Sequence, residues 1–521
     1  MKRREWFFAA AGFLLLALST LSLFNGRIPA REVVFPQACG TPVRIMDPGI
    51  PGNEATAVVF HGLGANAVIM RSLGQSLAGL GLRVYLFDLP GHGNNPDSFF
   101  FHRAENCAAQ VIALMDRVGE IRLDNTVLVG HSMGGALAVR MADYFPTAAT
   151  IAISPAPMLR AERTPAGAVL MGPPRRMPVN LLILMGQFDF PYSRESSAKL
   201  VQMAGGERSQ PGDFRQKRAL KLETIPRATH TSLIFDLPAE SPIVSWLQAS
   251  LPGKLTPTLA SSIKPESWGL FGLLGLMLLF PLTASGVARA VGLRDAQLPV
   301  ASASTRNAIL CCFIAGLFAV SVLNFVPQLS FLRMVYGGYL ASCLLLAGVV
   351  LVLLLRSIPA TRNATRQPHP KWRGVLTGAL LGMATMLVFG AWMNLHLSDT
   401  WLNAPRWLRF FPAVLACLPY ALAEEWALGA PGAGNWLAKT RRYILFAALR
   451  LLIWLSILFA LYVYGSGQIL LSVLVVFMGA FSLLTRLGAD AVRRRTDSPA
   501  GTAVFTAILM AWFIAAVFPL A

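Results

Sequence analysis

Residues 126–135 constrain the fold of this chain more than any other stretch. They begin with an apolar run typical of a buried strand, pass through Gly-His-Ser-Met-Gly, and continue into residues that favour a helix. Such a turn is tight, and Gly130 and Gly134 remove side chains that would collide where strand and helix pack closely. The turn would strain the backbone of Ser132 and present its hydroxyl at the edge of a sheet. The alternative interpretation is a glycine-rich turn with an incidental serine.

The surrounding segment, residues 28–252, alternates between short apolar runs and helical patterns. We predict helices at 67–80 and 104–118. Besides the strand that precedes Ser132, we predict strands at 57–60, 83–87, 150–153, 181–185 and 220–225. Strands that alternate with helices indicate a doubly wound, mostly parallel sheet. A segment of about 220 residues is long enough for one such domain.

Two residues downstream could activate Ser132 as a nucleophile. Asp189 comes just after a predicted strand, and His230 follows the last one. Both would lie at the carboxyl edge of the sheet, where Ser132 emerges. His230 is therefore the candidate general base and Asp189 the group that orients it, in the chain order Ser, Asp, His. Weaker candidates are the bases His92, His102 and His131, none of which follows the last strand, and the acid Asp213.

A glycine-rich loop upstream, residues 61–66, could supply the oxyanion hole. It follows an early strand and reads His-Gly-Leu-Gly-Ala-Asn. We expect the backbone N–H groups of Leu63 and Met133 to point at the reacting carbonyl oxygen. His61 is interpreted as a buried, hydrogen-bonded loop residue rather than a catalytic one.

Residues 55–250 resemble the α/β-hydrolase superfamily. The resemblance rests on the turn at 130–134, on His61-Gly62, on the stretch Asp-Leu-Pro-Gly-His-Gly at 88–93, and on His230-Thr-Ser. It implies a serine hydrolase of the esterase and monoacylglycerol-lipase-like branch that acts through an acyl-enzyme and needs no metal or other cofactor. Ser132 argues against a dehalogenase, which would carry aspartate at that position.

The substrate expected from this resemblance is a lipid or another hydrophobic acyl ester. Many relatives insert a helical lid after the strand that follows the nucleophile, but the interval 154–180 is too short for a full lid. The mouth of the site would then be open or covered by the membrane. Two alternatives remain: an acyltransferase that uses the same acyl-enzyme, or a lipid transport or assembly protein with the hydrolase fold as an accessory module.

The rest of the chain has the composition of a membrane protein. Of its 521 residues, 55% are hydrophobic and 14% are charged. An apolar run at 6–24, after three basic residues, predicts an uncleaved anchor within residues 1–27. A linker at 253–267 then leads to a polytopic helical domain at 268–521. There we predict eight further spans, at approximately 268–288, 307–326, 335–355, 374–395, 408–428, 443–464, 468–485 and 502–520.

The net charge of +19 reports membrane topology rather than nucleic-acid binding, because basic residues alternate between predicted loops. With the N-terminus inside, the cytoplasmic loops carry Arg289, Arg294, Arg306, Arg356, Arg362, Arg366, Lys371, Arg373, Lys439, Arg441, Arg442, Arg486, Arg493, Arg494 and Arg495. External loops carry little beyond Arg333, Arg406 and Arg409. This places the hydrolase domain on the extracytoplasmic side, which is the periplasmic side of the inner membrane in a bacterium. Cys39 and Cys107 could then form a disulfide.

Charged and polar residues inside the predicted spans are few. Charges within a membrane are expensive and usually paired, so we expect Arg450 to face Glu424 or Glu425. Such a pair could be structural or could form a substrate or proton site. Asn394 and His396, near the outer end of one span, could line a substrate path or be ordinary interfacial residues.

Overall fold

The computed structural model describes residues 3–22, 27–52, 54–156, 172–235, 242–257, 265–293, 304–359, 372–429, 436–465 and 469–521. The chain forms two compact units. The hydrolase unit comprises Leu18–Leu270, Met393–Trp401 and Pro519–Ala521. The helical unit comprises Met1–Ala17, Phe271–Trp392 and Leu402–Phe518.

The hydrolase unit is built on an eight-stranded sheet with the strand order β1-β2-β4-β3-β5-β6-β7-β8. The strands from β4 to β8 in that order pair in parallel, whereas β1 and β2 are antiparallel additions at one edge. The strands are β1 Ala30–Phe35, β2 Thr41–Met46, β3 Thr56–Phe60, β4 Arg83–Phe87, β5 Thr126–His131, β6 Ala149–Ile153, β7 Leu181–Phe188 and β8 Leu220–Thr229. This is the mostly parallel α/β-hydrolase sheet that the sequence predicts.

The six parallel strands coincide with the six predicted ones, but β1 and β2 are absent from the sequence-based prediction. The central strands β3, β5 and β6 are buried at every position, so each reads as an uninterrupted apolar run. The edge strand β1 is mostly exposed, and β2 contains Pro42 and Arg44. Neither carries the apolar run or the clean alternation on which the prediction relied.

Seven helices accompany these strands, namely α1 Arg3–Leu21, α2 Arg71–Gly79, α3 Phe101–Arg117, α4 Met133–Arg140, α5 Pro191–Met203, α6 Pro211–Arg215 and α7 Pro242–Ser250. Of these, α1 extends from the helical unit into the hydrolase unit. A continuous apolar core lies between the sheet and its helices and includes Val59, Leu73, Val129 and Trp246. Cys39 and Cys107 form a disulfide across 68 residues.

Two late segments of the chain also belong to the hydrolase unit. The backbone of Leu520 forms two hydrogen bonds with the loop after β4: its N–H donates to Gly91 O at 3.0 Å, and its carbonyl accepts from Phe99 N at 2.7 Å. Residues 393–401 contact the loop after β3 through Asn66. The hydrolase unit is therefore completed by residues far along the chain.

The helical unit contains eight long helices within the described residues: α8 Pro265–Ala290, α9 Thr305–Phe325, α10 Gly337–Ser357, α11 Trp372–His396, α12 Ala404–Leu428, α13 Trp436–Val463, α14 Ile469–Thr496 and α15 Pro499–Val517. They lie where the eight spans are predicted. All but α12 and α14 are long and apolar enough to cross a membrane, which makes six candidate spans among the described residues. The chain is therefore of the multi-pass type, while the number of spans and their orientation stay predictions. Four of the basic residues used to predict that orientation lie outside the described ranges: Arg294, Arg362, Arg366 and Lys371.

Some of the charged residues of α12, α13 and α14 form a buried ion cluster. Arg450 forms two hydrogen bonds with the Glu424 carboxylate, at 2.8 and 2.9 Å, which confirms the expected pairing. Arg486 contacts Glu425 at 2.5 Å and Asp490 at 2.6 Å. Because opposite charges meet in one place, the cluster offsets the desolvation that each charge would otherwise suffer alone.

Candidate active site

The turn between β5 and α4 has the backbone that its sequence predicts. Ser132 has φ 54° and ψ −117°, a backbone conformation that residues other than glycine rarely adopt. A Cβ on Gly130 would lie 2.0 Å from the Gly134 carbonyl oxygen, and one on Gly134 would lie 2.3 Å from Phe60 O. Both glycines are therefore required by close backbone contact. The Ser132 N–H donates to Ile153 O at 2.9 Å, which ties the turn to β6.

The structure brings Ser132, His230 and Asp189 together, although 98 residues separate the first two. The Ser132 hydroxyl lies 3.0 Å from His230 Nε2, and His230 Nδ1 lies 2.8 Å from Asp189 Oδ1. The Asp189 side chain is fully buried, whereas the His230 side chain is 13% exposed. Asp189 lies just after β7 and His230 just after β8, so parallel pairing of these two strands sets their separation. These are the contacts that a nucleophile, base and orienting acid require.

Ser154 also contacts the acid, and the sequence did not single it out. Its hydroxyl donates a short hydrogen bond to Asp189 Oδ2, while Phe190 N donates to Oδ1 at 2.8 Å. Burial raises the pKa of Asp189, but the hydrogen bonds from His230, Ser154 and Phe190 more than offset this and leave the pKa below its ordinary value. Asp189 is therefore held as a carboxylate that can orient His230.

His131, rejected above as a base, holds His230 through its backbone. His131 Nε2 donates to the His230 carbonyl oxygen at 2.8 Å, so the proton of the neutral ring is on Nε2. Burial, and to a lesser extent His230, lower the pKa of His131 to about 3. A side chain next to the serine therefore fixes the loop that carries the base. Only the three-dimensional contact reveals this role.

The candidate oxyanion loop passes directly against the serine. A Cβ built on Gly62 would lie 3.2 Å from Ser132 Cβ, so the backbone that leads into Leu63 is close to the nucleophile. Met133 supplies the first N–H of α4. His61 is buried: its Nε2 accepts from Leu89 N at 3.1 Å, and its Nδ1 donates to Gly62 O at 2.8 Å. Burial lowers the pKa of His61 to about 4, in keeping with the expected structural role.

The weaker candidates lie elsewhere. His92 donates to Pro90 O and packs on the His61 ring, and His102 is exposed beside Glu105. Asp213 caps the short helix α6 and pairs with Arg218. Among the described residues, the ligand atoms of Cys39, Asp97 and Cys107 lie within 4.8 Å of one another, but the disulfide leaves no thiolate to hold a metal.

Three aromatic residues lie at or just after the end of β7, and one of them, the half-buried Phe190, contacts the His230 ring. Phe190 lies 4.9 Å from the His230 ring and stacks on Tyr192 at 5.4 Å. Phe188 is 64% exposed and Tyr192 is 44% exposed. The expectation of a missing lid cannot be compared with the fold, because residues 157–171 lie outside the described ranges. The described rim of the site is therefore apolar on the side of β7.

Comparison with known proteins gives matches to the hydrolase unit. A sequence model of the alpha/beta hydrolase family matches residues 57–251. A pimeloyl-[acyl-carrier protein] methyl ester esterase from Vibrio cholerae is 33% identical over 110 residues, which are 20% of this chain and 40% of that protein. A probable alcohol acetyltransferase from Saccharomyces cerevisiae is 33% identical over 100 residues, covering 19% of this chain and 28% of that protein. The chain thus spans less than half the length of either relative.

A crystal structure of a predicted CIB-like hydrolase from Thermoplasma acidophilum aligns with 20% identity and a TM-score of 0.30, covering 40% of this chain and 91% of that one. The family match includes the parallel strands β3 to β8, the turn at Ser132 and both partner residues. Residues 57–251 therefore belong to the alpha/beta hydrolase family.

Proposed function

We propose that the protein is a membrane-anchored serine hydrolase that cleaves a carboxylic ester of a lipid or another hydrophobic acyl compound. The observation that carries the proposal is the pair of contacts of His230, at 3.0 Å to the Ser132 hydroxyl and 2.8 Å to the Asp189 carboxylate. A strained backbone at Ser132 supports it further, because strain of this kind is held where a function requires it.

The proposed reaction follows from these contacts. His230 takes the proton of Ser132 as Oγ attacks the ester carbonyl, and the developing oxyanion accepts hydrogen bonds from the N–H groups of Leu63 and Met133. His230 then gives the proton to the leaving alcohol, which leaves an acyl-enzyme on Ser132. Water attacks the acyl-enzyme with His230 again as base, and His230 then returns the proton to Ser132 Oγ as the carboxylic acid is released. Asp189 stabilises the imidazolium in both steps.

The hydrophobic character of the substrate is supported by the exposed aromatic residues at or just after the end of β7 and by the apolar helices of the chain. An ester as the scissile group is supported by the similarity to a methyl ester esterase. We further propose that the hydrolase unit faces an oxidising, extracytoplasmic compartment. The disulfide between Cys39 and Cys107 supports this orientation, because disulfides persist in such compartments.

The proposal is tested by labelling the full-length protein with a fluorophosphonate, which reacts with an activated serine. We expect the wild type and the control Ser245→Ala to label equally, and Ser132→Ala not to label. Ser245 is a suitable control because its hydroxyl contacts only Pro242 O within α7. Labelling that persists in Ser132→Ala would remove the proposed nucleophile.

The substrate class is tested with p-nitrophenyl esters of increasing acyl length, assayed in detergent and in phospholipid vesicles. We expect kcat/KM to rise from acetate to laurate, because longer chains bury more apolar surface, at about 0.8 kcal/mol per methylene. A flat or falling series in both media would contradict a hydrophobic acyl substrate.

Acyl transfer to an alcohol is a second candidate, favoured by the similarity to a probable alcohol acetyltransferase. Both reactions share the acyl-enzyme and differ only in the acceptor. The ratio of carboxylic acid to new ester, measured at increasing concentrations of a long-chain alcohol, separates them. Hydrolysis predicts mainly acid at every alcohol concentration, whereas a transferase would yield mainly ester.

A further inference from the structure

Residues 393–401 comprise the last turn of α11 and part of its connection to α12, and they belong to the hydrolase unit. The internal shape of this segment is fixed by Asn394, whose side-chain oxygen accepts from Thr400 N at 2.6 Å and from Thr400 Oγ1 at 3.1 Å. The Leu397 N–H donates to Met393 O at 2.7 Å. Asn394, singled out from the sequence as an interfacial or substrate-path residue, thus holds a turn.

The turn presents Ser398 and Asp399 to Asn66. The Asn66 side-chain oxygen accepts from Asp399 N at 3.1 Å, and its Nδ2 donates to Asp399 O at 3.1 Å and to Ser398 Oγ at 3.0 Å. This is a reciprocal pairing, in which a carboxamide takes the place of a peptide group in a sheet. Asn66 and Asp399 are each only 3% exposed.

An ion pair supports the same contact. The Asp399 carboxylate accepts from Arg44 Nη2 at 2.8 Å, and its other oxygen accepts from Trp401 N at 3.3 Å. Arg44 lies on β2 and also contacts Glu32 at 3.1 Å. With its side chain only 2% exposed, Asp399 forms a partly desolvated charge pair that is stronger than an exposed one.

Asn66 stands at the end of the candidate oxyanion loop. The loop is held at its start by His61, which accepts from Leu89 N. It is held at its end by Asn66 and by Ala67, whose N–H donates to Asp88 Oδ1 at 2.7 Å. Leu63 lies between these two anchors and directly after Gly62, whose backbone is close to Ser132. One anchor is therefore supplied by residues more than 330 positions away in the chain.

We propose that Asn66 and Asp399 are positioning residues that hold the N–H of Leu63 in the geometry of the oxyanion hole. The inference rests on the proposed function, because it assigns a role in the reaction at Ser132. Oxyanion donors act through fixed geometry, and loss of one donor costs roughly 10²–10³ in kcat. Release of an anchor displaces the donor without removing it, so a smaller effect is expected.

The test uses the full-length protein in detergent, with active sites counted by fluorophosphonate titration. We expect Asn66→Ala to lower kcat per titrated site by about 10- to 100-fold while KM changes less than about threefold. Binding of a trifluoromethyl ketone, which forms an oxyanion on the enzyme, should weaken by the same factor as kcat/KM. A purely structural role would lower the number of titrated sites and the unfolding midpoint, and would leave the kcat of each remaining site unchanged.

Arg71→Met provides a matched control. Arg71 lies outside the loop 61–66 and its Nη1 donates to Leu395 O at 2.7 Å, so the substitution removes a bond to the same late segment of the chain. We expect its kcat per site to equal that of the wild type. A second variant, Asp399→Asn, keeps the backbone pairing with Asn66 and loses the charge opposite Arg44. Its kcat should fall by about three- to tenfold, and it serves as the deciding variant if Asn66→Ala does not fold.

An unchanged kcat per site in both Asn66→Ala and Asp399→Asn overturns the proposal. A fall in kcat/KM that comes only from a higher KM overturns it as well. A wild type that fails to label at Ser132 instead overturns the proposed function. The two failures are therefore distinguishable.

Discussion

The candidate active site and the ion cluster of the helical unit are both groups of polar side chains in largely buried surroundings, yet they are built in opposite ways. In the cluster, Glu424 is paired with Arg450 and Glu425 with Arg486. In the site, Ser132 is neutral, has strained backbone angles and lies beside a histidine that is partly exposed.

The difference indicates what each group can do. A balanced set of ion pairs resists a change of charge, because removal of one partner leaves another buried and alone. The serine and histidine at the site can exchange a proton, and only Asp189 is held charged. We therefore interpret the cluster as structural, and we expect substitutions in the two regions to separate turnover from stability.

The largest effect should come from Asp189→Asn. The neutral amide can present its NH₂ group to His230 Nδ1, which favours the wrong imidazole tautomer, and it carries no charge to stabilise the imidazolium. We expect kcat to fall roughly 10⁴-fold. The unfolding midpoint in detergent, measured by intrinsic fluorescence, should move far less than it does for substitutions in the ion cluster. A variant that keeps a tenth of the wild-type kcat would contradict the role of Asp189.

Glu424→Gln tests the other side of the comparison. It leaves Arg450 buried without a counter-charge, which typically costs about 3–5 kcal/mol of stability. We expect a lower unfolding midpoint with an unchanged kcat per titrated site. The double variant Glu424→Gln/Arg450→Met should recover part of the loss. If kcat per site instead falls while the midpoint holds, the cluster takes part in function and the contrast with the active site breaks down.

The disulfide lies in the hydrolase unit, but we expect its removal to lower stability and not turnover, as for substitutions in the ion cluster. Cys39→Ser/Cys107→Ser removes a cross-link over 68 residues, worth about 4 kcal/mol by its loop length. We expect a lower unfolding midpoint and a normal kcat for the molecules that remain folded. Maleimide labelling of intact cells, with and without reductant, should show both thiols blocked in the wild type. Labelling of Cys39 or Cys107 before reduction would argue against an extracytoplasmic hydrolase unit.

The smallest expected effect on stability is that of His61, and it depends on pH. Its pKa is about 4 in the folded protein and about 6.5 ordinarily. Between these two pH values, His61 is therefore mostly protonated in the unfolded chain and mostly neutral in the folded protein. Stability is therefore fully present above pH 6.5 and falls as the pH is lowered towards 4, by up to about 3 kcal/mol. Between pH 7.5 and 4.5, the unfolding midpoint of His61→Gln should fall less than that of the wild type. Equal losses would show that His61 is not responsible.

The sequence predicts those parts of the site that depend on strand ends. Ser132, Asp189 and His230 each follow an apolar run, and parallel strands end at one edge, so their proximity could be expected. Ser154 and His131 were missed as contributors because their contacts depend on side-chain directions at that edge. The strands β1 and β2 were missed because edge strands need no apolar run.

The pairing of Asn66 with Asp399 lies beyond any local pattern. The two residues are 333 positions apart, and neither stands in a motif that points to the other. The bidentate contact of Arg450 with Glu424 was predictable because a charge in an apolar helix requires a counter-charge nearby. Ion pairs inside apolar helices can therefore be predicted from sequence more readily than hydrogen bonds between residues far apart in the chain.

The long separation between Asn66 and Asp399 has a consequence during protein synthesis. A ribosome adds about 5–20 residues per second, so tens of seconds pass between the two. For the last 169 of these residues, from His230 to Asp399, Ser132, Asp189 and His230 have all been made, but the segment proposed to steady the oxyanion loop has not. Under the proposal above, a newly made hydrolase unit would thus turn over more slowly until residues 393–401 are synthesised.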